Sequence, residues 1–157
     1  MKKRIDFEEI STHHTPEESP GFLLWRVSTS WRRTIEEVLK SFDLTHPQFV
    51  VLATIGWLTK NDDKVSQADI ARQAGLDPNT TSQIMRSLQT KKFIDRSRSI
   101  DERSKYPTLT STGAQTLIKA LPAVEKADEK FFSVLNLKKS GLLNALQKLA
   151  LHETSKK

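Results

Sequence analysis

Between Pro78 and Lys91 the chain carries side chains suited to reading a polar surface. At about 100° per residue, Asn79, Ser82, Gln83, Arg86 and Thr90 fall on one side of a helix, and Thr80 joins the same candidate set. Thr81, Ile84 and Leu88 fall on the other side, with Met85 at its margin. Arg86 is the only charge on the polar face, and its neighbours donate or accept hydrogen bonds. Amide and guanidinium groups pair bidentately with base edges, and hydroxyls reach phosphates, which is major-groove chemistry. A merely solvated face ordinarily carries more Glu and Lys than this one. Downstream, Arg96, Arg98, Arg103 and Lys105 form a basic cluster around Ser99–Ser104. An Arg at the tip of a protruding hairpin suits a narrow minor groove, where negative potential concentrates. Asp101 is read as the carboxylate that pairs with an Arg of this tip and stiffens it.

These residues need elements to hold them. Ser66 and Asp69 have capping-box spacing, and Val65 and Ile70 can close over the cap as a staple. Gly75 ends that helix, Asp77 caps the next, and Pro78 occupies its first position, where a missing N–H is harmless. Stop and start so close together predict a helix-turn-helix. Ile94–Arg98 and Tyr106–Thr110 are short extended segments with a charged connection, a β-hairpin wing.

The ordered set resembles the MarR family of winged-helix transcription regulators. The resemblance rests on Asp101-x-Arg103 followed by Leu109-Thr110-x-x-Gly113, on Leu44-Thr45-x-x-Gln48-Phe49, and on Ser66-x-x-Asp69-Ile70-Ala71, and it covers about residues 22 to 149. Two positions depart from the family pattern. Lys92 stands where the family usually has Gly, so a left-handed cap there is mildly strained. Pro107 interrupts the second wing strand, which puts full pairing in doubt and suits an edge. The resemblance implies a homodimer that presents two recognition helices to a palindromic operator in double-stranded DNA. It also implies a repressor released by a small aromatic effector near the junction of dimer core and DNA-binding unit. Trp25, Trp31, Phe49 and Trp57 are the candidate effector pocket; aromatic residues on helical stripes are equally core material.

The fold class expected is mainly α with a small β wing: a winged helix-turn-helix domain over residues 44–113 and a helical dimerisation region over 21–43 and 114–157. Residues 1–20, with Pro16 and Pro20, read as an N-terminal arm rather than a stable helix. From Gly21, Leu24, Val27, Trp31, Ile35, Val38 and Phe42 recur at helical steps. Leu44 to Leu58 reads as a helix capped by Thr45 and Gln48, with Val51, Leu52, Ile55 and Trp57 inside. After Gly113, Leu117, Leu121, Val124, Phe131 and Leu135 continue the pattern, with a kink or break at Pro122. A last helix carries Leu142, Leu146 and Leu149.

Composition restricts the remaining classes. A net charge of +6 and a pI of about 9.6 suit a polyanionic partner, and Arg86, Lys91, Lys92, Arg96, Arg98, Arg103 and Lys105 are the phosphate candidates. With no Cys, disulfides and thiol sensing are excluded. His13, His14, His46 and His152 form no metal-ligand spacing, and no nucleophile–base arrangement or phosphate loop stands out, so neither metal, cofactor nor enzymatic activity is expected. No segment reaches membrane-spanning length, which points to the cytoplasm. The competing functional class is a winged-helix protein-interaction module that binds an acidic protein partner.

Overall fold

The computed structural model describes residues 5–61, 63–98, 105–135 and 139–154, without the side chains of 96–98, 105, 139–140 and 152–154. Its helices are α1 (Phe7–Ile10), α2 (Pro20–Leu39), α3 (His46–Leu58), α4 (Gln67–Ala74), α5 (Pro78–Thr90), α6 (Ser111–Phe132) and α7 (Lys139–Thr154). Strands β1 (Ile94–Arg98) and β2 (Lys105–Leu109) form one antiparallel hairpin between α5 and α6. None of the described helices is long and apolar enough to cross a membrane.

Local chemistry sets the helix ends. Thr45 and Gln48 close a capping box on α3, and Ser66 and Asp69 close another on α4. Three helical segments stop the same way, each on a left-handed residue: Asp43 (φ 53°) after α2 and its short 3-10 extension, Gly75 (φ 66°) after α4, and Lys92 (φ 61°) after α5. At each stop the next residue's N–H reaches back across the turn: Leu44 to the Leu39 carbonyl, Leu76 to Ala71 and Phe93 to Leu88. These are Schellman closures, and the pairs Leu39/Leu44 and Leu88/Phe93 add the buried apolar contact that usually accompanies them.

Only one of the three left-handed positions is a glycine. A side chain in this region costs roughly 1–2 kcal/mol, while glycine loses about 0.4–1 kcal/mol through its freer unfolded chain. Lys92 is exposed, so no packing is lost with it. Lys92→Gly is therefore expected to stabilise the protein by about 0.5–1 kcal/mol and raise Tm by a few degrees. A Tm at or below the wild-type value in a thermal melt would refute the strain.

A single core joins the elements. Ile35 and Leu39 of α2, Val51, Leu52 and Ile55 of α3, Ile70 of α4, Met85 and Leu88 of α5, Ile94 of β1 and Ala120 and Val124 of α6 belong to one buried cluster. Trp31 fastens α2 to its neighbours: its indole N–H donates to the Asp128 carboxylate at 2.7 Å, and its ring lies edge-on to His46 at 4.9 Å. Burial holds the His46 imidazole below its ordinary pKa, with Arg32 adding to the effect and Glu36 and Asp128 opposing it.

Several sequence expectations change. Trp57 does not join the interior of α3; it is 62% exposed, with the Lys60 ammonium 3.4 Å from its ring centre. Two residues beyond Ile55 is a rotation of about 200°, so a tryptophan there must face away. Met85 and Leu88 are fully buried on α5, whereas Ile84 is only half-buried. Leu24 and Val27 are exposed, and α2 reaches the core only through its C-terminal half. The arm contains one turn of helix capped by Asp6 and a 3-10 turn at Pro16–Glu18, all without buried residues.

The two prolines leave their elements continuous. Helix α6 does not break at Pro122. Both Pro122 and Ile118 are exposed, so water can satisfy the carbonyl that loses its partner. Pro107 pairs opposite Arg96 in a ladder that continues to both ends of the hairpin. A two-stranded sheet has an outer edge on each strand, where a missing N–H breaks no ladder bond.

Candidate nucleic-acid interface

The helix-turn-helix is built from side chains that cap, cross and close its turn. Asp77 accepts from the Thr80 N–H at 2.9 Å, and the Thr81 hydroxyl returns to the Asp77 carbonyl at 2.9 Å. Gln67 on α4 donates to the Pro78 carbonyl at 3.3 Å and so ties the two helices across the turn. Hydrogen bonds from Thr80 lower the pKa of Asp77, and those from Ser66 do the same for Asp69. Both carboxylates are therefore charged at neutral pH.

On α5, Thr81, Met85 and Leu88 are buried against the domain, while Asn79, Gln83, Arg86 and Thr90 are exposed on the opposite side and Thr80 and Ser82 are partly so. The Thr90 hydroxyl donates to the Arg86 carbonyl, a local bond that leaves its oxygen accessible. The side chains of Asn79, Gln83 and Arg86 make no hydrogen bond or ion pair with another described residue. At 1.5 Å per residue, α5 presents about 20 Å of polar surface, a length that a major groove accommodates.

The wing stands beside this helix. Arg96 and Arg98 lie on β1 and Lys105 on β2, with Arg98 opposite Lys105 in the register. Arg103 and Asp101, expected from the sequence to be the tip cation and its carboxylate support, lie outside the described residues. At the wing's base, the Thr110 hydroxyl donates to the Lys92 carbonyl at 2.6 Å and accepts from the Gly113 N–H at 3.0 Å. That gives Leu109-Thr110-x-x-Gly113 a physical meaning: Thr110 both caps α6 and holds the segment entering β1.

Lys91, one of the expected phosphate cations, is engaged within the fold. Its ammonium meets the Asp43 carbonyl at 2.5 Å, the Asp43 carboxylate at 3.1 Å and the Gln48 amide oxygen at 3.2 Å. Gln48 in turn donates to the Ser87 hydroxyl at 2.8 Å. Sequence reasoning found the capping role of Gln48 but not this bridge, because Gln48 and Ser87 are 39 residues apart and no local spacing signals their meeting.

The four aromatic residues of the candidate effector pocket occupy different environments. Phe49 is buried and Trp31 packs against the same core, whereas Trp25 and Trp57 are 65% and 62% exposed. The structure brings the first two into one cluster and leaves the other two on its surface.

Comparison with known proteins agrees with this architecture. The family of transcriptional regulators SarA/Rot matches residues 33–121. The HTH-type transcriptional regulator YdcH of Bacillus subtilis is 39% identical over 139 residues, covering 88% of this chain and 94% of that protein. The Mycobacterium tuberculosis MarR family protein Rv2887, solved in complex with DNA, is 25% identical with a TM-score of 0.61, covering 83% of this chain and 97% of that one. It has also been solved with salicylic acid. The Staphylococcus aureus MepR–DNA complex shares the fold at a TM-score of 0.72 and 22% identity, covering 91% of this chain and all of that one. With its capped helix-turn-helix, its hairpin wing and these relatives, the chain belongs to the SarA/Rot family of transcriptional regulators and has the MarR-type winged-helix fold.

Proposed function

We propose that this protein is a homodimeric, sequence-specific DNA-binding repressor, with α5 in the major groove and the wing in the minor groove of a palindromic operator. The carrying observation is the outward face of α5, where Asn79, Gln83, Arg86 and Thr90 stand exposed on a helix anchored by its opposite face. The DNA complex of Rv2887 supports the same use of the fold. Dimerisation is supported by apolar side chains left exposed outside the winged unit, among them Phe22, Leu24 and Trp25 of α2 and Leu143, Leu146 and Leu149 of α7. These would close across a two-fold axis. A small aromatic effector is supported by the salicylic acid complex of Rv2887, and the candidate pocket residues are Trp31 and Phe49 with Trp25 and Trp57. The cytoplasm is the compartment this function requires.

Duplex binding at several salt concentrations tests the reading. Each neutralised phosphate contributes about 0.9 to the negative slope of log K against log salt. Lys92 and the wing cations of two protomers are expected to give a slope of several units. A flat response, or affinity for an acidic protein with none for DNA, would overturn the proposal in favour of a protein-interaction module.

A further inference from the structure

The bridge between Lys91, Asp43, Gln48 and Ser87 lies at the opposite end of α5 from the Gln67–Pro78 tie. It joins the turn after α2 and the first turn of α3 to one flank of α5. Ser87 and Lys91 are one helical turn apart and lie on the side of α5 between its buried and exposed faces. Three properties set this bridge apart from an ordinary surface ion pair.

First, the ammonium is saturated. Lysine has three N–H donors, and three acceptors from Asp43 and Gln48 surround this one. Second, Gln48 is nearly buried, at 9% exposure, and uses both ends of its amide. Its oxygen accepts from the Thr45 N–H at 3.1 Å and from Lys91, while its nitrogen donates to Ser87. Third, Asp43 sits at a left-handed helix stop, a conformation that directs its carbonyl and carboxylate to the same ammonium. The Lys91 side chain is 26% exposed, against 79% for Asp43.

We infer that Gln48 and Lys91 are positioning residues for DNA reading: they set the rotation of α5 about its axis, and Lys91 is not a phosphate ligand. This inference rests on the proposal that α5 reads DNA. The apolar contacts of Met85 and Leu88 hold α5 against the domain but are non-directional. Hydrogen bonds on its flank supply direction. A small rotation of the helix would shift Gln83 and Arg86 out of register with base edges while leaving the cations near the backbone.

The test uses the full-length protein and a duplex selected by the wild type from a random-sequence pool, with an unselected duplex as reference. Lys91→Met is expected to lower the ratio of selected to unselected affinity about tenfold while leaving the salt slope at its wild-type value. Gln48→Leu should do the same, and Gln48→Glu should restore the ratio. A glutamate still accepts from Lys91 and Thr45, and the Ser87 hydroxyl can turn to donate to it. Val124→Ala, a core truncation in α6, controls for simple destabilisation and should lower Tm without changing the ratio. A slope reduced by about 0.9 per phosphate contact in Lys91→Met would make Lys91 a direct ligand and overturn the inference. An unchanged ratio in Lys91→Met and Gln48→Leu, or failure of Gln48→Glu to rescue, would also overturn it. Absence of duplex binding by the wild type would instead remove the DNA reading, and this inference with it.

Discussion

Gly113→Ala is expected to destabilise the protein by about 3 kcal/mol or more and to displace the wing. A Cβ built on Gly113 would lie 1.8 Å from the Phe93 carbonyl oxygen and 2.7 Å from its carbonyl carbon. Both are backbone atoms, so no side-chain rotation relieves the clash. The Phe93 carbonyl also accepts from the Thr110 N–H at 3.1 Å, which ties the start of α6 to the residue before β1. Moving α6 away breaks that tie, and moving Phe93 away pulls a buried ring from the core. The wing therefore loses its anchor whichever segment yields. Thermal or denaturant unfolding measures the loss. A Gly113→Ala protein with wild-type Tm would show that α6 and the wing base tolerate separation.

Arg86→Ala is expected to relax sequence preference by about 1–3 kcal/mol while leaving Tm unchanged. Arg86 is exposed and makes no ion pair with a described residue, so its removal leaves the fold untouched. A bidentate guanidinium contact to a base is lost only on the sequences that present that base. Selection from random duplexes should then return a motif degenerate at one position in each half-site. Gln83, about one turn before Arg86 on the same face, should behave similarly through its amide. Equal weakening on all sequences, with a salt slope reduced by about 0.9, would assign Arg86 to phosphate instead. A motif unchanged in both variants would remove base reading from this face.

The local parts of this protein could be read from the chain because their causes are local. Ser66 with Asp69 and Thr45 with Gln48 are capping boxes in sequence and in structure. Asp77 caps α5, Gly75 closes α4, and Lys92 takes the left-handed position expected of it. Each depends on residues within about five positions of one another, where backbone geometry leaves little choice. The polar face of α5 followed from helical period alone, whereas packing moved the centre of its buried side from Ile84 to Met85.

Other properties depended on which distant surfaces meet. Trp57 is apolar and helical, yet it lies outside the core because the elements packed on α3 take the side that carries Ile55, and helical period then turns Trp57 away. Pro122 calls for a kink or a break by its ring and missing N–H; the helix is unbroken, and the exposed surface around it leaves the freed carbonyl to solvent. Pro107 fits the hairpin because, among the described residues, no third strand pairs with the outer edge of β2. Lys91 is one basic residue of a run in sequence, and only the fold brings Asp43 and Gln48, more than 40 positions away, around its ammonium. Charge and period are properties of a residue and its neighbours, whereas a hydrogen-bond partner across the fold is selected by the packing of whole elements. That selection, made by the tertiary structure alone, separates the cations and aromatic rings that stay on the surface from those that hold it together.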